Sequence, residues 1–199
     1  MKLIGSGMSP YVRRIRLFLE GQKLLEGQDY DFINLNIYSP EGRAELATYT
    51  PAMKIPVLID AEQKVYDSRV IHRYLSEKQQ NSPLNWNQEN LLSLIDAAND
   101  SFVILLLSAR SNIDTNADAL IINLQKERIE RTLPLLEQAV ADGEVSAWDY
   151  PAICLFCLLD WVDFRALHNL DLFPNLSRFL SARAAEPGVD LSNPRHIDS

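Results

Sequence analysis

The sequence predicts an α/β domain over residues 1–80 followed by an all-α domain over residues 81–199. Three observations carry this. Short apolar runs alternate with amphipathic stretches up to about residue 80, and after it only helical periodicity is found. Gln79–Pro83 is a polar stretch ending in Ser-Pro, the composition of a linker. The charge balance also changes there, from net +1 over residues 1–80 to net −9 over residues 81–199.

The elements follow in order. Lys2–Gly5 reads as a short strand, and Pro10 to Gln22 has helical spacing, with Val12, Ile15 and Leu19 on one stripe and Phe18 beside it. Ile33–Ile37 alternates with period two, the mark of a half-buried strand. Glu41–Ala47 forms a short helix after Ser39-Pro40. Val57–Asp60 and Lys64–Tyr66 are strands joined by a tight polar turn, Ala61–Gln63. Ser68–Lys78 is helical, with Val70, Ile71, Tyr74 and Leu75 on one side. The order is β-α-β-α-β-β-α. Beyond the linker, Gln88–Arg110, Asn116–Ala141, Ala147–His168 and Pro174–Ala185 are helical, separated by breaks containing Asn, Asp, Gly or Pro. The tail from Glu186, with Pro187, Gly188 and Pro194, reads as irregular.

Composition excludes several classes. Hydrophobic residues make up 47% and charged residues 23% of the 199, a globular balance. The longest unbroken apolar run, Ala152–Leu159, falls well short of the ~20 residues of a membrane span. Arg13, Arg14 and Arg16 interrupt any signal-peptide core. Two cysteines are too few for a disulfide framework. The net charge of −8 repels phosphate backbones. A soluble cytoplasmic protein with no membrane or nucleic-acid partner is the expectation.

Three short motifs carry chemistry. In Ser9-Pro10-Tyr11-Val12-Arg13, proline suits the first helical position and serine the cap before it. Ser9 thus stands at the positive end of the first helix, as a plain cap or as a group beside a bound anion such as a thiolate. In Lys54-Ile55-Pro56-Val57-Leu58 a proline opens a strand, a position where its missing N–H is harmless. In Tyr66-Asp67-Ser68-Arg69, Asp67 and Ser68 open the third helix and are ordinary capping residues.

In this order and at these junctions, the motifs and elements resemble the glutathione S-transferase family, whose members have a thioredoxin-like domain followed by a helical domain. The S-P-[YF]-V-R stretch is similar to the active-site segment of bacterial members. The resemblance implies that Ser9 donates a hydrogen bond to the sulfur of glutathione. It implies a cis Ile55-Pro56 bond that exposes the Ile55 backbone to the cysteinyl part of the tripeptide, in the manner of an added strand. Lys54 would meet the glycyl carboxylate. Asp67 and Ser68 would grip the ammonium and carboxylate of the γ-glutamyl end. Met53 stands where many members carry glycine. No cysteine precedes Cys154, so a mixed disulfide at this site is excluded.

The implied activity is transfer of the glutathione thiolate to a small electrophile, in detoxification, by a homodimer with glutathione as cosubstrate and no metal. The electrophile would lie against the Gln88–Arg110 helix and the tail after Glu186. An isomerase or dehalogenase using glutathione shares the same site. A non-catalytic interaction module, of the kind represented by the bacterial stringent starvation proteins, is the alternative.

Other features read as structural. Ser146 and Asp149 form a capping-box variant that resembles the family's sixth-helix cap. Cys154 and Cys157 read as buried core thiols, and Trp148 and Trp161 as core residues with partnered N–H groups. Phe102–Leu107 is an apolar run too broad for one helix face, the mark of a buried helix or of a dimer contact, and core is the preferred reading. His72, His168 and His196 lack the spacing of metal ligands.

Overall fold

The computed structural model describes residues 1–197. The chain divides into two compact units, Met1–Pro83 together with the residues from Ala184 onward, and Leu84–Arg183.

The first unit is built on β1 (Lys2–Gly5), β2 (Asp31–Asn34), β3 (Val57–Asp60) and β4 (Gln63–Tyr66), in sheet order β2-β1-β3-β4. β1 runs parallel to β2 and antiparallel to β3, and β3 is antiparallel to β4. The helices are α1 (Pro10–Gly21), α2 (Pro40–Tyr49) and α3 (Ser68–Lys78). Side chains alternate across the pleat, so successive strand residues face opposite layers. Ile4 and Val57 are paired in the ladder and pack with Leu35 and Leu46, the latter from α2. Their neighbours Leu3 and Leu58, also paired, are fully buried on the opposite face. There α1 and α3 supply Val12, Ile15, Leu19, Ile71 and Leu75, all at most 1% exposed.

β2 lies two to three residues earlier than the alternation of Ile33–Ile37 predicts. Its extent is set by its partner: the parallel register pairs Lys2 with Asp31 and ends at Gly5 and Asn34. Leu35 N–H still donates to Gly5 O at 2.7 Å, after which Asn36 folds the chain, its side-chain oxygen accepting from Tyr38 N–H and its carbonyl from Ser39 N–H. Ile37 is thereby tucked under the core rather than extended along the sheet. Ser39 caps α2 by accepting the Gly42 N–H at 3.0 Å. A methyl group on Gly42 would sit 2.0 Å from Asn36 O, so glycine lets α2 close onto this turn.

The second unit comprises α4 (Trp86–Arg110), α5 (Leu120–Ala141), α6 (Tyr150–Phe164) and α7 (Pro174–Ala182), with a 3-10 turn at Leu170–Leu172. α6 is buried all round from Tyr150 to Leu159, the pattern of a central helix. Cys154 and Cys157 are buried inside it, as predicted. Among the described residues α4 is the helix with the length and apolarity of a membrane span. It packs against α5 and α6 and buries Leu91, Leu92, Ile95, Ala98 and Phe102. The Phe102–Leu107 run is only partly core: Phe102 is buried, Val103–Leu106 are half-buried and Leu107 is exposed.

Polar side chains join the helix ends. Asn85 and Gln88 form a capping box at the start of α4, and Gln88 Nε2 also donates to Asp149 Oδ2 at 3.0 Å. Asp149 is itself the cap of α6, accepting the Ala152 N–H at 3.2 Å, so the helix opens at Tyr150 rather than at Ala147 and Ser146 is not its cap. α6 ends at Phe164, four residues before the predicted end, because Ala166 turns to φ 50° and the Leu167 N–H closes back on Val162 O. α5 opens at Leu120 rather than Asn116, because the Asp114 side chain accepts the Asn116 N–H in a local turn. α7 has no capping side chain of its own. Glu137 of α5 supplies one, accepting from Asn175 N–H at 2.9 Å and from Leu176 N–H at 2.8 Å. Trp161 is buried, but the Trp148 indole N–H is buried with no acceptor among the described residues. Its ring is held instead edge-on to Phe156 and beneath Arg183.

Candidate functional site

Strand register brings the three motifs to one edge of the sheet, the end at which β1 and β4 finish and β3 begins. β1 ends at Gly5 and leads through a turn to Ser9. β3 starts at Val57, which pairs with Ile4 near that same end of β1. β4 ends at Tyr66, which pairs with Val57 from the other side, and Asp67-Ser68 follow at once. The residues after β1, before β3 and after β4 therefore share one edge, although the motifs span Ser9 to Ser68 in the chain.

Ser9 is the cap of α1. It is half-buried, its backbone extended at φ −90° and ψ 126°. Its N–H donates to Ser6 O at 2.9 Å and its carbonyl accepts from Arg13 N–H at 3.0 Å. Oγ accepts the Val12 N–H at 3.4 Å, long for such a bond. The hydroxyl proton is committed to no protein acceptor among the described residues, so it is available to a ligand held at the positive end of a 12-residue helix.

The Ile55-Pro56 bond is cis, as the resemblance implies. The ladder begins only at Val57, which leaves Ile55 just outside it. Pro56 is buried, Ile55 half-buried and the Lys54 side chain exposed. Met53 takes φ 53°, in the left-handed region where glycine is at ease. Asp67 also has positive φ, 77°, and its carboxylate accepts the Arg69 N–H at 2.9 Å. Asp67 is exposed and Ser68 buried. One turn further along α3, burial, reinforced by the Arg69 charge, pushes the His72 pKa down to about 4, so the imidazole is neutral at pH 7.

Sequence reasoning missed what supports the Ser9 turn. Gly7 N–H donates to Asn34 Oδ1 at 3.0 Å, tying the turn to the end of β2. In the sequence Asn34 is simply a polar position in an alternating stretch, and its role depends on the Gly5–Asn34 pairing. Nor do residues 187–197 stay with the helices, since the segment packs on α1 in the first unit.

Comparison with known proteins agrees with this architecture. Residues 3–83 match the model of the glutathione S-transferase N-terminal domain. The chain is 30% identical over 209 aligned residues to YibF, an uncharacterised GST-like protein of Escherichia coli (strain K12), covering 94% of this chain and 99% of that one. The chain belongs to the glutathione S-transferase family. Among solved structures, a glutathione S-transferase of Methylobacillus flagellatus KT with glutathione bound superposes with a TM-score of 0.82, at 25% identity over 97% of this chain and 98% of that one. A glutathione transferase family member of Pseudomonas fluorescens Pf-5, also with glutathione bound, gives 0.76 at 28% identity, over 97% and 98% of the two chains. The fold is that of the family: a thioredoxin-like domain with a small mixed sheet, and a helical part.

Proposed function

We propose that this protein is a glutathione transferase that binds glutathione along the sheet edge described above and transfers its sulfur to a small electrophile. The observation that carries the reading is the common edge formed by Ser9, Ile55-Pro56 and Asp67-Ser68, in a fold whose relatives from M. flagellatus and P. fluorescens hold glutathione. In this reading the tripeptide lies extended beside Ile55, with Lys54 near its glycyl carboxylate. Its α-carboxylate meets the Ser68 hydroxyl and the start of α3, and its α-ammonium meets Asp67. Its thiol reaches the start of α1. The Ser9 hydroxyl donates to the sulfur, and helix dipole and hydrogen bond together favour the thiolate, by about 1.36 kcal/mol for each pKa unit gained. The thiol proton passes to solvent and the thiolate attacks the electrophilic atom; a C–S bond forms as the bond to a leaving group breaks, or as the π pair of a double bond moves to the neighbouring atom and takes up a proton from solvent. Proximity and thiol ionisation are the catalytic contributions.

The reading includes a homodimer in the cytoplasm. β4 is an edge strand, and Tyr66 and Val70 beside it are exposed on a shallow cavity of about 270 Å³.

Calorimetric titration with glutathione tests the core of the proposal. Binding at or below millimolar concentration, with conjugation of at least one member of a broad electrophile panel, is the expected result. Absence of binding would sink the reading in favour of a non-catalytic module, and product formed without glutathione consumption would make the chemistry isomerisation.

A further inference from the structure

The segment from Ala184 returns along α1. Gly188, at φ 79°, lies against the last turns of that helix, where a methyl group on it would come 2.7 Å from Glu20 Cγ and 3.4 Å from Leu17 Cδ2. Further along the segment, Arg16 Nη2 donates to Leu191 O at 3.3 Å. Arg13 Nη2 donates to Val189 O at 3.0 Å, and its Nε donates to Ser192 Oγ at 3.2 Å. From Gly188 beside Glu20 to Ser192 beside Arg13 and Ile197 beside Gly7, the segment runs antiparallel to α1 overall. Both arginines are buried, which makes these bonds costly to break. After a 3-10 turn at Pro194–His196 the segment delivers Ile197 to the turn that precedes Ser9.

There Ile197 meets Gly7. A methyl group on Gly7 would sit 2.2 Å from Ile197 Cδ1 and 3.8 Å from Asn34 Oδ1. Gly7 does not have the positive φ that favours glycine, so it is Ile197 that leaves no room for a side chain. The Ser6–Ser9 turn is thus clamped from two sides. Asn34 holds its backbone at the Gly7 N–H, and Ile197 fills the space over the Gly7 Cα. Ties within the turn itself include Ser9 N–H to Ser6 O, and Met8 N–H to Ser6 Oγ at 3.3 Å.

We propose that Ile197 is a positioning residue for Ser9, holding the Ser6–Ser9 turn so that the Ser9 hydroxyl is aimed at the sulfur of the bound thiol. This rests on the glutathione reading above. Hydrogen bonds weaken steeply as donor and acceptor swing out of line, and catalysis suffers from small displacements. Ile197 acts through the turn and not on the tripeptide, so its loss affects turnover and thiol ionisation more than glutathione affinity.

The test uses the full chain and the variants Ile197→Ala, Ile197→Leu, Gly7→Ala and Gly7→Ala/Ile197→Ala. Hydrogen exchange at Gly7 and Met8 is measured with and without glutathione, alongside the ultraviolet pH titration of bound thiolate and the steady-state constants. Ile197→Ala is expected to speed exchange at these two amides and lower kcat by roughly tenfold, with KM for glutathione within about twofold. The bound thiol should titrate higher, and Ile197→Leu should recover most of the loss. Gly7→Ala should be impaired, and adding Ile197→Ala to it should recover activity by removing the clash. If the unaltered protein binds glutathione with an ionised thiol and Ile197→Ala changes neither exchange nor titration, the positioning role alone is refuted. If the unaltered protein binds no glutathione at millimolar concentration, the glutathione reading fails and takes this role with it.

Discussion

Replacing Ser9 by alanine separates its two roles, because each has its own magnitude and its own assay. As a cap, Ser9 accepts one N–H, from Val12 at 3.4 Å. That length puts the cap at the weak end of the range, about 0.5 kcal/mol. In a chain of this size ~1 kcal/mol moves Tm by about 2–4 °C, so Ser9→Ala should lower Tm by roughly 1–2 °C. As donor to a thiolate, the hydroxyl makes a hydrogen bond to a charged group, a class worth about 1.5–3 kcal/mol. Losing it should raise the pKa of the bound thiol by about one to two units and lower kcat/KM by about 10- to 100-fold. The assays are a thermal melt, an ultraviolet titration of the enzyme-bound thiolate and steady-state conjugation near pH 6.5. At high pH, where glutathione ionises unaided, the variant's deficit should shrink. Activity that falls only in proportion to Tm, or a thiol pKa that does not move, would refute the donor role and leave Ser9 as a cap.

Other outcomes follow from packing and charge. His72 is buried against the Phe18 ring, with its pKa pushed from 6.5 down to about 4 by burial and by Arg69. The unfolded chain therefore binds a proton that the folded one refuses, so stability is full above pH 6.5 and is lost as pH falls toward 4. His72→Phe should remove roughly 3 kcal/mol of the stability difference between pH 7 and pH 4, read by urea unfolding at the two pH values. Glu137→Ala uncaps α7 and should cost about 2 kcal/mol in urea melts, while an unchanged midpoint would mean that water caps the helix equally well. Gly42→Ala forces a methyl group against Asn36 O and should cost about 2 kcal/mol or more. Gly21→Ala, at the end of α1 with open space around it, should instead stabilise by up to about 1 kcal/mol; equal Tm values for the two variants would contradict this account.

What was legible in the sequence was local. Helix-forming stripes, Pro at the first helical position and Ser9 or Asp67 as caps depend on residues within about four positions of each other, and they placed most elements in kind and order. The Ser9, Pro56 and Asp67-Ser68 motifs were visible for the same reason, each at a junction between an apolar run and its neighbour. Tertiary structure decided the rest. The extent of β2 follows from its parallel ladder with β1 and not from its own alternation. The start of α7, which has no capping side chain of its own, is satisfied by a carboxylate 38 residues away. The turn that carries Ser9 is braced by Asn34 and by Ile197, far apart in the chain, through one hydrogen bond and one filled space. Periodicity and capping arise from short-range backbone geometry, whereas steric fit and strand register exist only between segments that folding has brought together.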